Sequence, residues 1–178
     1  LRDRFGIIEQ LEFYSVTELS DVISRASAIL GTKIQEKAVH EIGLRSRGTP
    51  RIANRLLKRV RDWAQIKGTG DITNDIVSSS LTQLGIDAMG LDNADRKYLN
   101  SIIKKFRGGP VGVETIAACL SEEVETVEDI YEPYMLQLGF IERTPRGRIV
   151  TMHGYKHLNI PYSDLKKDEE TIERPSLF

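Results

Sequence analysis

Residues 49–67, TPRIANRLLKRVRDWAQIK, set the terms for the sequence around them. Thr49 is a helix N-cap residue, and Pro50 takes the first helical position, where a missing N–H costs nothing. Ile52, Leu56, Leu57, Val60 and Ala64 recur at three- and four-residue spacing, so they line one side of a helix. The other side is basic. Across residues 44–67, Arg45, Arg47, Arg51, Arg55, Lys58, Arg59, Arg61 and Lys67 stand against Asp62 alone. A helix with one apolar stripe is stable only where neighbours cover that stripe.

The neighbours are legible. Residues 15–32 carry Val16, Leu19, Val22, Ile23, Ala26, Ile29 and Leu30 at helical spacing, stopped by Gly31. A second helix lies in 35–48 and ends by Gly48, and a fourth follows Thr73 or Asn74. Together they predict a small helical domain over residues 15–82. Residues 87–93, DAMGLDN, read as a short hinge. A second domain over 83–160 begins with three helices, near 93–106, 112–121 and 122–139. It then turns to FIERTPRGRIVTM, where apolar runs flank Thr144-Pro145-Arg146-Gly147, and that is hairpin chemistry. Three helices and a terminal hairpin make a winged helix. The fold class is therefore mainly α: a small helical domain, then a winged helix with a β-hairpin wing. Residues 7–14 read as a short strand, and the charged segment 161–178 reads as a disordered tail.

Composition adds limits. Of 178 residues, 40% are hydrophobic and 29% charged, with a net charge of −1, so any nucleic-acid signal must come from local clusters. The single cysteine, Cys119, excludes an internal disulfide and reads as an inert core thiol. No apolar run approaches the ~18 residues that span a bilayer. A cytoplasmic protein with no membrane partner is the expectation. The histidines His40, His153 and His157 lack metal-ligand spacing, so no metal site is expected. The start without methionine reads as a cut from a longer chain.

Several arginines ask for a partner. Arg51 lies at a helix N-terminus, where a cation opposes the helix dipole by about 0.3–1 kcal/mol. With the free backbone N–H groups there it makes an anion site, unless it is simply a solvated surface arginine. The basic run as a whole suits a nucleic acid, a nucleotide, a subunit interface or plain solvent. Arg2 and Arg4 either pair with Asp3 or Glu9 or project to a neighbouring molecule. Arg143, Arg146 and Arg148 crowd a hairpin tip stiffened by Pro145, which suits a phosphate backbone. The helix before the hairpin carries Glu122, Glu123, Glu125, Glu128, Asp129 and Glu132, with Pro133 interrupting it. It reads as a solvated acidic face that phosphates would avoid, so the wing and not the helix would meet DNA.

LRDRFGIIEQLEFY, RSRGTPRIANRLLKRVRD, FRGGPVG and GFIERTPRGR, in this order, resemble the RuvB family of AAA+ Holliday-junction branch-migration motors. The resemblance runs from Leu1 to about Ile160. It covers the family's C-terminal half, without the large ATPase domain that holds the Walker A and Walker B elements, of which residues 1–14 would be the end. It implies that 15–82 is the AAA+ lid and 83–160 the DNA-binding head. It implies that Arg4 is an arginine finger reaching a neighbour's γ-phosphate in a homohexamer. Arg51 becomes the sensor-2 arginine, and Tyr14 lies against the adenosine end of the nucleotide. Arg143 and Arg148, with Arg146 beside them, contact DNA. The implied cofactor is ATP with Mg²⁺, whose metal ligands belong to the large domain. The implied partners are duplex DNA of Holliday junctions and, through the large domain, RuvA. Without the resemblance, a winged-helix transcription regulator with a ligand-sensing or dimerising helical domain fits the same pattern, and the acidic helix alone would suit a protein-interaction adaptor.

Overall fold

The computed structural model describes residues 12–162 apart from Thr69. Arg2, Arg4, most of the expected strand and residues 163–178 of the expected tail lie outside the described residues. The chain forms two compact units, which divide between Asn93 and Ala94.

The first unit is four helices: α1 (Val16–Ile29), α2 (Glu36–Leu44), α3 (Pro50–Ile66) and α4 (Asn74–Gln83). α1 opens on a capping box. The Ser15 N–H donates to Glu18 Oε2 at 2.8 Å and Ser15 Oγ accepts from the Glu18 N–H at 3.3 Å. The Ser15 N–H first, and then the Ser15 hydroxyl, which donates to the same Glu18 oxygen at 2.8 Å, hold the Glu18 carboxyl below its ordinary range. Thr73 caps α4 by accepting from the Ile76 N–H at 3.3 Å. α3 buries Ala53, Leu56, Leu57, Val60 and Ala64. Ile52 is only partly buried, and Ala53 takes the innermost place. Leu19, Ile23, Ala38, Ile42, Val77 and Leu81 complete the core. Ile29, placed by periodicity on the inner stripe, is 76% exposed.

Residues 87–91 form a tied turn. The Asp87 carboxylate accepts from the Met89 and Leu91 N–H groups, each at 2.9 Å. Arg45 Nε donates to the Asp87 carbonyl at 3.0 Å and Arg47 Nε to that of Gly90 at 2.8 Å. Two members of the basic run are thus held inside the first unit.

In the second unit, α5 (Asn93–Phe106) and α6 (Val113–Leu120) precede a longer irregular helix. That helix is a short turn α7 (Val124–Thr126), a π-helical segment (Val127–Tyr131) and α8 (Glu132–Gln137). Pro133 does not end it. Proline lacks the N–H an α-helix would use, and the wider turn just before it absorbs the lost bond. Strands β1 (Ile141–Thr144) and β2 (Gly147–Val150) pair antiparallel, with Arg143 opposite Arg148 and Thr144 opposite Gly147. Val111 pairs along β2, donating to the Arg148 carbonyl at 3.0 Å and accepting from its N–H at 2.8 Å. Gly147 has φ +132, and a Cβ there would run into the Val111 carbonyl. After the hairpin the chain forms a further helix, α9 (Met152–His157), which the sequence pattern does not signal. Its cap is Thr151, whose hydroxyl accepts from the Gly154 N–H at 3.3 Å.

Candidate nucleotide and nucleic-acid interfaces

Each unit holds one candidate interface. In the first, the Tyr14 N–H donates to the Gly48 carbonyl at 2.9 Å, which sets Tyr14 beside the segment that enters α3. Phe13 covers Gly48 so closely that a Cβ there, at φ +64, would collide with the Phe13 Cβ and crowd its ring. Tyr14 is 48% exposed. The start of α3 has no acidic residue in its first turn, and Thr49 makes no side-chain cap bond. The positive end of the helix dipole is thus uncompensated locally, and Arg51 adds its own charge there, exposed and with no acidic partner among the described residues. The fold brings Tyr14 and the Arg51 segment together. Further along α3, Arg55, Lys58 and Arg59 are exposed, while Arg61 pairs with Asp62 at 2.7 Å and Lys67 lies 5.3 Å over the Trp63 ring.

The second interface is the wing, and its chemistry differs from expectation. Glu132 is not on a solvated face: its side chain is fully buried. Its carboxylate accepts from Arg143 Nε at 2.7 Å and Nη2 at 2.6 Å. It also accepts from Arg148 Nε at 2.7 Å and Nη2 at 3.3 Å, and from the Tyr98 hydroxyl at 3.3 Å. Arg148 Nη2 reaches Glu128 as well, at 2.6 Å. Hydrogen bonds to Glu132 are the largest influence holding the Arg148 guanidinium above its ordinary range. Burial, then the charge of Glu132, pushes the Tyr98 phenol far above a normal tyrosine. Arg143 is 47% exposed and Arg148 14%. Arg146 stands exposed at the tip with no acidic partner among the described residues. Glu122, Glu123, Glu125 and Asp129 do remain exposed, as the sequence implied.

The sequence contained a signal for this knot. Thr144 and Gly147 flank the two-residue turn Pro145-Arg146, so Arg143 and Arg148, the next pair, face each other across the hairpin, and like charges so placed repel. A counter-ion is required between them, and Glu132, one helical turn beyond Glu128, supplies it. Cys119 is another correction. It is half-buried, and its sulfur accepts from Lys105 Nζ at 3.0 Å, so it is not a sealed core thiol. His40 is exposed on α2, and no metal-binding cluster occurs among the described residues. No helix among them is long and apolar enough to cross a membrane.

A four-helix unit with an open, positively charged helix N-terminus, followed by a winged helix with a basic hairpin, defines a lid-and-head architecture. Residues 14–87 match the family model of the RuvB AAA lid domain, and residues 88–159 that of the RuvB C-terminal winged helix domain. The chain belongs to the RuvB family. It is 56% identical over 172 residues to the Holliday junction branch migration complex subunit RuvB of Dehalococcoides mccartyi (strain CBDB1), covering 97% of this chain and 49% of that protein. The Thermotoga maritima RuvB Holliday junction branch migration motor superposes with a TM-score of 0.87 at 51% identity, over 90% of this chain and 54% of that one. A single-site variant of the same Thermotoga protein gives 0.86 at 52%, over 89% and 53%. The chain spans about half the length of the relatives it matches.

Proposed function

We propose that this chain is the lid and DNA-contacting head of an ATP-driven branch-migration motor acting on Holliday junctions. The observation that carries the reading is the entrance to α3: Tyr14 held to Gly48 by its backbone, Arg51 exposed, and no acid in the first helical turn. These residues fit a nucleotide. Arg51, as sensor 2, would meet its phosphates with a guanidinium and the adjoining helix N–H groups, and Tyr14 would lie against the adenosine end. ATP with Mg²⁺ supplies the free energy of hydrolysis. Arg4 would act in trans as the arginine finger in a homohexamer, stabilising charge at the neighbour's γ-phosphate. The wing, through Arg143, Arg146 and Arg148, would hold duplex DNA by its backbone. The large ATPase domain would supply the phosphate loop, the metal ligands and the contact to RuvA, so this chain alone should not turn over ATP.

The test is made in a motor that carries this chain joined to the family's ATPase domain. Arg4→Ala should slow hydrolysis by roughly 10³–10⁵-fold while nucleotide binding survives, as loss of a finger does elsewhere. Arg51→Ala should weaken both binding and turnover. Hydrolysis within a few-fold of the unaltered rate in Arg4→Ala would remove Arg4 from the role.

A further inference from the structure

We propose that Glu132 is a positioning residue of the wing: a buried carboxylate that fixes Arg143 and Arg148 in the orientation from which they meet DNA phosphates. The inference rests on the reading of the wing as the DNA-contacting element and goes one step further, to what aims it. Arg143 and Arg148 face each other across β1 and β2. Left alone, two guanidiniums so placed would splay apart and sample many rotamers. Glu132 accepts from Nε and Nη2 of both, which fixes the plane of each fork. Each arginine keeps its Nη1 amine without a protein partner among the described residues. The carboxylate is itself held. The Tyr98 hydroxyl donates to it from α5, and the backbone of Arg148, opposite Arg143 in the hairpin, is tied to Val111 through both its N–H and its carbonyl.

The arrangement has a cost that a merely charged wing would avoid. Two of the three wing cations are matched by Glu132 and Glu128, so the long-range attraction of the hairpin for DNA is weakened. In return, two long side chains that would have to be ordered on binding are ordered beforehand. That exchange suits a contact that must be remade at every step along a duplex.

The two effects predict opposite signs, which makes the proposal testable. Glu132→Gln makes the net charge of the wing one unit more positive, while replacing the carboxylate that two guanidiniums share with an amide that has a single acceptor oxygen. The measurement is duplex DNA binding by the whole chain, by fluorescence anisotropy over a range of salt, with circular dichroism to check folding. The unaltered chain should bind with a log–log salt slope of about −2 to −3, from two or three phosphate contacts. Glu132→Gln should bind about tenfold more weakly with a shallower slope, despite its extra positive charge. Tighter binding with a steeper slope would overturn the proposal and make Glu132 a competitor of the phosphates. Arg148→Lys keeps the charge and loses the planar fork, so it should also weaken binding, about threefold or more; affinity equal to the unaltered chain would count against positioning, and this variant decides the matter if Glu132→Gln does not fold. Arg146 lies outside the knot, so Arg146→Ala should lower the slope by about one unit. Failure of the unaltered chain to bind duplex DNA at all would overturn the reading of the wing itself, and positioning with it.

Discussion

In the unit that ends at Asn93, the polar residues buried as a whole, among those described, are the serines Ser27, Ser46 and Ser80. Ser27 donates to the Ser24 carbonyl within α1, and Ser46, just past the end of α2, donates back to the Ile42 carbonyl of that helix. In the unit that begins at Ala94, two carboxylates are buried, Asp95 and Glu132. Glu132 joins α5, α8, β1 and β2 through Tyr98, Arg143 and Arg148. The first unit has an apolar core, with Arg45 and Arg47 tying one turn to it, and apolar volume tolerates exchange of one shape for a similar one. The second adds an ionic knot around a buried carboxylate, where loss of one partner leaves a buried charge uncompensated. The difference suits the two proposed tasks. A lid moves as a body and needs only cohesion, whereas a wing must present particular atoms in a fixed place.

The sharpest way to break this comparison is to exchange a buried side chain for one of similar size in each unit. Leu57 is fully buried in α3, and Leu57→Met should cost under about 1.5 kcal/mol. Glu132→Leu keeps approximate volume but leaves Arg143 and Tyr98 without their acceptor and Arg148 with Glu128 alone, and should cost about 3–5 kcal/mol. Amide hydrogen exchange would localise each loss to its own unit. Similar costs for the two variants would mean that the knot adds little beyond packing.

The first unit was largely legible for the same physical reason. Helical periodicity in α1 to α4, the Thr49–Pro50 start and the Thr73 cap are local signals, and burial follows from them. Ile29 and Ile52 escaped because a stripe predicts a direction and not a depth. In the second unit the three helical segments before the hairpin and the hairpin itself were legible, but α9 and the role of Glu132 were not. Its neighbours Glu125, Glu128 and Asp129 suggested a solvated face, and its partners lie 11 and 16 residues further along the chain. The pairing of Arg143 with Arg148 could have revealed it, had the turn been carried through to its register. The Tyr14 contact with Gly48 spans a longer gap and has no periodic signature. For Tyr14 and Arg4, family resemblance supplied the roles that local chemistry left open.

A smaller effect should separate the units by pH. Tyr98 is held far above its ordinary range, first by burial and then by Glu132. Below the unfolded tyrosine value of about 10, the phenol is protonated in both states and its contribution is fully present. Above that value the unfolded chain releases a proton that the folded chain retains. Stability must then fall as pH rises through this window. Denaturant midpoints followed from about pH 8.5 to 11 should decline for the second unit more steeply than for the first. Tyr98→Phe should flatten the second unit's profile. A decline equal in both units, or untouched by Tyr98→Phe, would assign the alkaline loss to some other group.

The smallest expected effect compares two helix caps of the same residue type. Thr73 accepts one bond, from the Ile76 N–H, and makes no other side-chain contact of that kind. Thr151 accepts from the Gly154 N–H and also donates its hydroxyl to the Gly139 carbonyl, tying the start of α9 to the turn before β1. Thr73→Ala should cost about 1 kcal/mol, the ordinary value of a cap. Thr151→Ala loses the cap and a part-buried bond to a distant carbonyl, so about 1.5–2.5 kcal/mol is expected. Adding the second residue's share through a double substitution tests independence: the two sites lie in different units, and their costs should sum within about 0.5 kcal/mol. If Thr151→Ala costs no more than Thr73→Ala, the second unit's dependence on polar ties is confined to Glu132 and its partners, and the contrast between the units narrows to one knot.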